Sequence, residues 1–139
     1  MTEKILKVVG AVLYACEGTK ARKDRRYDRL IYSIELTNSD PKIIKTFSRF
    51  LYEILEIDRS RIRGQLFTYP DLDEKQLINF WAEVSGIPHG QFQKSIFLKG
   101  SERFKPSSYG TFKIRYSCKE DFLRLQKMID DVWRDAGVA

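Results

Sequence analysis

The chain has 139 residues, 42% of them hydrophobic and 32% charged, with a formal net charge of +6. That length suits one domain with a real core, spanning residues 1–139, and that composition excludes intrinsic disorder. His89 is the only histidine, and Cys16 and Cys118 lie far apart with no metal-type neighbours. This argues against a zinc site or a Ser-His triad, and both cysteines read as reduced thiols.

The longest apolar run, Ala11 to Cys16, falls far short of the ~20 residues of a membrane span. Lys4 and Lys7 interrupt the first apolar residues, so no signal peptide is expected, and the expected setting is intracellular, without a membrane partner. The positive balance favours an anionic partner.

The first predicted element is a helix from Glu3 to Glu17, stopped by Gly18. Within it, "VVGAVLYACEG" (Val8 to Gly18) is apolar on every side and carries small residues at Gly10, Ala11, Ala15 and Cys16. A helix apolar all round is expected to be buried all round. Small residues let a second backbone approach closely. The helix ends on one carboxylate, Glu17, where the helix dipole favours cations; a bound divalent metal would offset that.

"TKARKDRRYDR" (Thr19 to Arg29) follows, with six basic and two acidic residues, and reads as an exposed loop or ribbon. "LIYSIELT" (Leu30 to Thr37) has the β-branched and aromatic content of a strand. Asp40 as cap and Pro41 at the first position open the next helix. Its Ile43, Ile44, Phe47, Phe50, Leu51, Ile54 and Leu55 recur at helical spacing.

"RSRIRGQLFTY" (Arg59 to Tyr69) is a predicted strand. "DLDEKQLINFWAEVSGIP" is a predicted helix with Leu77, Ile78, Trp81 and Val84 inward and Gly86 as its stop. "KSIFLKG" and "YGTFKIRYS" read as strands joined by the polar loop Ser101 to Ser108. A last helix is expected from Ser117, with Glu120 completing a capping box, and ends at Gly137. Phe122, Leu125, Ile129, Val132 and Trp133 supply its core face. Helices and strands mix without regular alternation, which predicts an α+β fold.

Alternation places Arg59, Arg61, Arg63, Gln65, Phe67 and Tyr69 on one strand face, and Thr111, Lys113, Arg115 and Ser117 on another. Solvated sheet faces normally mix signs, whereas these positions carry no acid. Arg and Gln make bidentate contacts with purine edges, and Lys and Arg neutralise phosphates. The face is therefore a candidate nucleic-acid surface, with Lys20, Arg22, Lys23, Arg25, Arg26 and Arg29 able to flank it. Phe67 and Tyr69 read either as stacking platforms for bases or as cover for the end of the core.

"GAVLYACEG" (Gly10 to Gly18) resembles a degenerate LAGLIDADG motif, that of a homing endonuclease family. Gly10, Val12 and Ala15 stand where the motif has Leu, Gly and Asp. The following strands and "SIELTNSDPKIIKTFSRFLYEIL" are similar to the strand-then-helix that follows the motif. The likeness runs from about Ile5 to Leu55. "LTNSDP", "NFWAEVSGIP" and "YGTFKIR" resemble a prokaryotic branch of small LAGLIDADG-like proteins. The helix around Trp81 and the Ser101 to Ser108 loop look like insertions.

The resemblance implies a saddle-shaped antiparallel sheet with helices on one face, and a homodimer through the N-terminal helix. It implies Glu17 and Gly18 as ligands of a divalent metal, Mg2+, over the scissile phosphate, with Glu17 catalytic. Gly10, Ala11, Leu13, Tyr14 and Cys16 would be dimer contacts, and Arg59, Arg61, Arg63, Gln65, Lys113 and Arg115 DNA contacts. Lys94 or Lys99 would supply the basic group near the water or leaving oxygen. With one motif per chain, two-metal hydrolysis needs a twofold pair and a pseudo-palindromic duplex. No small-molecule cofactor is expected. The alternatives are a non-cleaving DNA-binding protein or regulator on the same scaffold, and an unrelated α+β module that binds RNA through its sheet.

Overall fold

A computed structural model describes residues 2–24, 29–99 and 109–138. Helix α1 (Glu3–Glu17) opens on Thr2, whose hydroxyl accepts from the Ile5 amide, and closes where the Gly18 amide donates to the Tyr14 carbonyl. Strands β1 (Arg22–Asp24) and β2 (Arg29–Ile31) pair antiparallel as a ribbon, and Tyr32 separates β2 from β3 (Ser33–Asn38). Helix α2 (Pro41–Glu53) starts at Asp40, whose carboxylate accepts from the Lys42 amide. Then come β4 (Arg63–Thr68), α3 (Glu74–Ser85), β5 (Ile96–Phe97), β6 (Thr111–Ser117) and α4 (Lys119–Asp135).

The architecture is α+β. The larger sheet has the order β3-β6-β4-β5, with β6 antiparallel to both β3 and β4. Its buried face carries Ile34, Leu36, Leu66, Phe112 and Ile114, and the helices pack there. Trp81 of α3 stacks on Phe112 with ring centroids 5.2 Å apart, while Tyr14 of α1 stacks on Phe47 of α2 at 5.6 Å. These residues belong to one core cluster. No helix among the described residues is long and apolar enough to cross a membrane.

Four expectations are corrected. The sheet is mixed, because β5 runs parallel to β4. Helix α3 lies between those strands in sequence, so the connection is a crossover, the type that parallel neighbours require. The last helix has Cys118 at its N-cap with no side-chain cap. Ser117 is instead held in the sheet, its Oγ 3.2 Å from Ser33 Oγ.

Strand β4 begins at Arg63, so Arg59 and Arg61 lie in the preceding turn. Arg59 turns to the helix layer, its guanidinium 4.2 Å from the ring centroid of Tyr52. Helix α1 is not buried all round. Leu6, Gly10, Ala11 and Tyr14 face the core, while Ile5 and Val8 are 52% and 42% exposed.

Candidate nucleic-acid interface

Pleating puts Ser33, Glu35 and Thr37 of β3, Thr111, Lys113 and Arg115 of β6, and Arg63, Gln65 and Phe67 of β4 on the face away from the helices. The register sorts them into rows. One row runs Glu35, Arg115, Arg63 and the next Thr37, Lys113, Gln65. Phe67 stands on this polar face beside Thr111, half-buried, and Ile96 of β5 pairs with it from the other side.

Glu35 also belongs to this face, and the alternation of β4 and β6 alone does not reveal it. It lies on the neighbouring strand, 1% exposed, and its Oε1 is 2.8 Å from Lys113 Nζ and 3.4 Å from Arg115 Nε. One buried carboxylate therefore serves two cations. The alternation of "SIELT" carried the signal: Glu35 falls two residues after Ser33 and two before Thr37, on the polar side.

The other cations are held by neutral acceptors. Arg63 Nη1 donates to the Ser60 and Ile62 carbonyls at 2.9 Å each, and Arg61 Nη2 donates to the Ser117 carbonyl. Arg115 Nη1 donates to Gln93 Oε1 at 3.3 Å, and Gln65 Nε2 to the Lys94 carbonyl at 2.9 Å. Gln93 sits in the irregular segment before β5, where no periodicity marks it. Among the described residues no carboxylate pairs with Arg61 or Arg63.

Arg59 is not part of this face. It lies with Tyr52, whose phenol is pushed up to about 12 by burial, against the opposing pull of the Arg59 charge.

The end of α1 is tied to the edge of this sheet. Gly18 bridges Leu36, and the Thr19 amide donates to the Glu35 carbonyl at 2.9 Å. The Tyr14 hydroxyl donates to the Thr19 carbonyl at 2.5 Å and accepts from the Glu35 amide at 3.2 Å. A Cβ on Gly18 would collide with the Tyr14 ring, so only glycine allows this crossing. Glu17 is exposed just outside β3. Lys20 Nζ donates to the Ala15 carbonyl at 2.9 Å, supplying the cation that this helix end favours.

The expected partner lysines lie elsewhere. Lys94 and Lys99 flank β5 on the opposite edge of the sheet. Four interstrand spacings of ~4.8 Å separate that edge from the Gly18 bridge, roughly 19 Å along a flat sheet. A lysine side chain does not span that distance, so neither residue shares a site with Glu17 of the same chain.

The residues expected as dimer contacts lie on two sides of α1. Gly10, Ala11 and Tyr14 are buried within the chain's own fold, and a Cβ on Gly10 would strike the Phe50 ring. Leu13 is half-buried against the core. Of the five, Cys16 alone is exposed. The open side of α1 carries Ile5, Val8, Val9, Val12 and Cys16, spaced as one helical stripe.

Among the described residues no three His, Cys, Asp or Glu side chains cluster as a metal site. Within one chain Glu17 provides a single carboxylate, too few protein donors for a dedicated cation cage. Arg22 and Lys23 fall in β1 and Arg29 in β2, while Arg25 and Arg26 lie outside the described residues, as does the Ser101 to Ser108 loop.

Comparisons with protein-family models, curated proteins and solved structures find no match for this chain.

Proposed function

We propose that the protein is a homodimeric, site-specific binder of double-stranded DNA with a LAGLIDADG-like fold, and that a pair of Glu17 carboxylates at its dyad directs divalent-metal-dependent phosphodiester cleavage. One observation carries the DNA reading: the solvent-side face of the sheet bears Arg63, Arg115 and Lys113 in adjacent rows with Arg61 beside them, against one carboxylate, Glu35, among the described residues of those rows. Such a face suits a polyanion, and its arginines and Gln65 suit base edges as well as phosphates. The element order supports the LAGLIDADG resemblance, with α3 inserted between β4 and β5.

The dimer reading draws on the open stripe of α1. An apolar stripe from Ile5 to Cys16 favours a partner, and a second copy of the same helix is self-complementary about a twofold axis. Glu17 follows Cys16 directly, so pairing along that stripe brings two carboxylates near the axis. Magnesium typically binds through one or two carboxylates plus phosphate oxygens, and Glu17 from each subunit would provide them. Bound there, the ion would polarise the scissile phosphate.

A non-cleaving form of the same reading is favoured by one feature. Lys20 already occupies the carbonyl end of α1, and Lys94 and Lys99 are remote from Glu17. Selection of bound duplexes from a random pool, followed by plasmid cleavage with magnesium, decides between them. A palindromic site cut by the wild type and bound but uncut by Glu17→Gln supports the nuclease. Binding with no cleavage by either selects the non-cleaving form, and preference for single-stranded RNA overturns both.

A further inference from the structure

Arg61, Arg63, Arg115, Gln93 and Ser117 line one cleft of about 380 Å³ at the end of the β4–β6 pair. The register sets Arg63 directly opposite Arg115, and like charges in that position repel. Arg61 enters from the preceding turn and adds a third guanidinium. Among the described residues Glu35, shared with Lys113, lies within ion-pair distance of Arg115, and the Asp58 carboxylate, which does not line the cleft, acts electrostatically on Arg61. The cleft therefore holds a surplus of positive charge.

The guanidiniums are also fixed before any ligand arrives. Among the described residues Arg61 commits Nη2 alone and Arg63 Nη1 alone to hydrogen bonds, both to backbone carbonyls, and Arg115 is tethered to Gln93. Each guanidinium has five N–H donors, so each retains donors for a ligand. Side chains already ordered lose less freedom on binding. A purine edge takes one arginine in its plane. Three arginines around one space fit a tetrahedral anion, whose several oxygens accept from different directions.

We propose that this cleft is a seat for one backbone phosphodiester of duplex DNA. The proposal rests on the sheet face being the DNA interface, and it divides that face by task. The Arg61–Arg63–Arg115 cleft fixes the backbone, while the adjoining row with Gln65 and Lys113 meets base edges. Its affinity contribution is then independent of base sequence and sensitive to salt.

The test has two arms. In the first, sodium phosphate is titrated at constant ionic strength against chloride, with the arginine side-chain Nε–Hε resonances observed by NMR. Phosphate should shift the Arg61, Arg63 and Arg115 signals together, and Arg63→Gln should abolish the response. In the second, the salt dependence of duplex binding is measured for the wild type, Arg63→Gln and Arg61→Gln, each first shown to melt cooperatively. Each variant should lower the slope of log K against log salt by about 0.9, equally on cognate and random duplexes. Gln65→Ala should change base preference with no change in slope.

Duplex binding with unchanged slope in both arginine variants overturns the seat and leaves the DNA reading intact. Phosphate binding by a protein with no affinity for duplex overturns the DNA reading and the assigned ligand, leaving a seat for free phosphate. Arg61→Gln stands outside the strand, so it tests the seat even where Arg63→Gln fails to fold.

Discussion

Arg63 and Arg115 face each other across β4 and β6, and Glu35 completes their row from β3. Two like charges sit in register with a buried acid at one end, and the acid is already divided between Arg115 and Lys113. Glu35→Gln removes that counter-charge and leaves two cations partly desolvated. The variant should lose roughly 1.5–3 kcal/mol of stability in urea denaturation, the range for hydrogen bonds to charged groups. It should also bind random duplex more tightly at low salt, because the freed cations then meet phosphate. Adding Lys113→Met to Glu35→Gln should recover part of the lost stability.

Two substitutions in α1 separate its core side from its open side. Gly10→Ala drives a methyl group into the Phe50 ring and should destabilise the subunit by about 1–3 kcal/mol, the usual cost of overpacking. Val8→Glu places a charge on the exposed stripe. It should leave the melting temperature of the subunit close to wild type and convert a dimer to monomer in sedimentation equilibrium.

The lysines on the β5 edge should be dispensable for hydrolysis. Lys94→Ala and Lys99→Ala are expected to match wild-type plasmid cleavage within about twofold, as surface substitutions remote from a site do. Glu17→Gln should leave no cleavage while duplex affinity is retained.

Stability should fall at both ends of the pH scale. Burial works against the Asp121 carboxylate, yet hydrogen bonds from Tyr116, Arg124 and Cys118 outweigh it and hold its pKa below the ordinary 3.8. Its stabilisation is complete above that ordinary value and is lost as pH falls through the lower folded value. Asp121→Asn should flatten this acid limb in urea melts. At the other end, burial raises Tyr52 and Tyr116 from 10.0 to about 12, with the Asp121 hydrogen bond adding to the effect at Tyr116. Folding then loses stability as pH rises from 10.0 to about 12, and ultraviolet titration should find these two phenols ionising above the ordinary range.

Much of the fold was legible because local chemistry and tertiary packing agree. Asp40 with Pro41 starts α2, and Gly86 at φ +70 ends α3, where the residue types alone indicate it. The bounds of α1 also coincide with the reading of its sequence. The failures share a cause, which is pairing between distant segments. Ser117 carries the signature of a helix cap, but a place beside Ser33 in the sheet takes it out of the helix. Alternation extended back through Arg61 and Arg59 overlooks the turn that sends Arg59 to Tyr52. The composition of α1 marks it as apolar on all sides and cannot say which side its own subunit covers. Glu35 was within reach of the alternation rule. The positions of Lys94 and Gln93 were not, since both depend on the crossover through α3.

The chain departs from the sheet edge after Thr19 and rejoins at Ser33, and one phenol, that of Tyr14, clasps both points. Changes in length between those two points should therefore leave the acid in place relative to the rows beside it. Reach along a ligand and geometry at the centre can thus vary separately, which makes this excursion the natural place to graft longer or shorter arms.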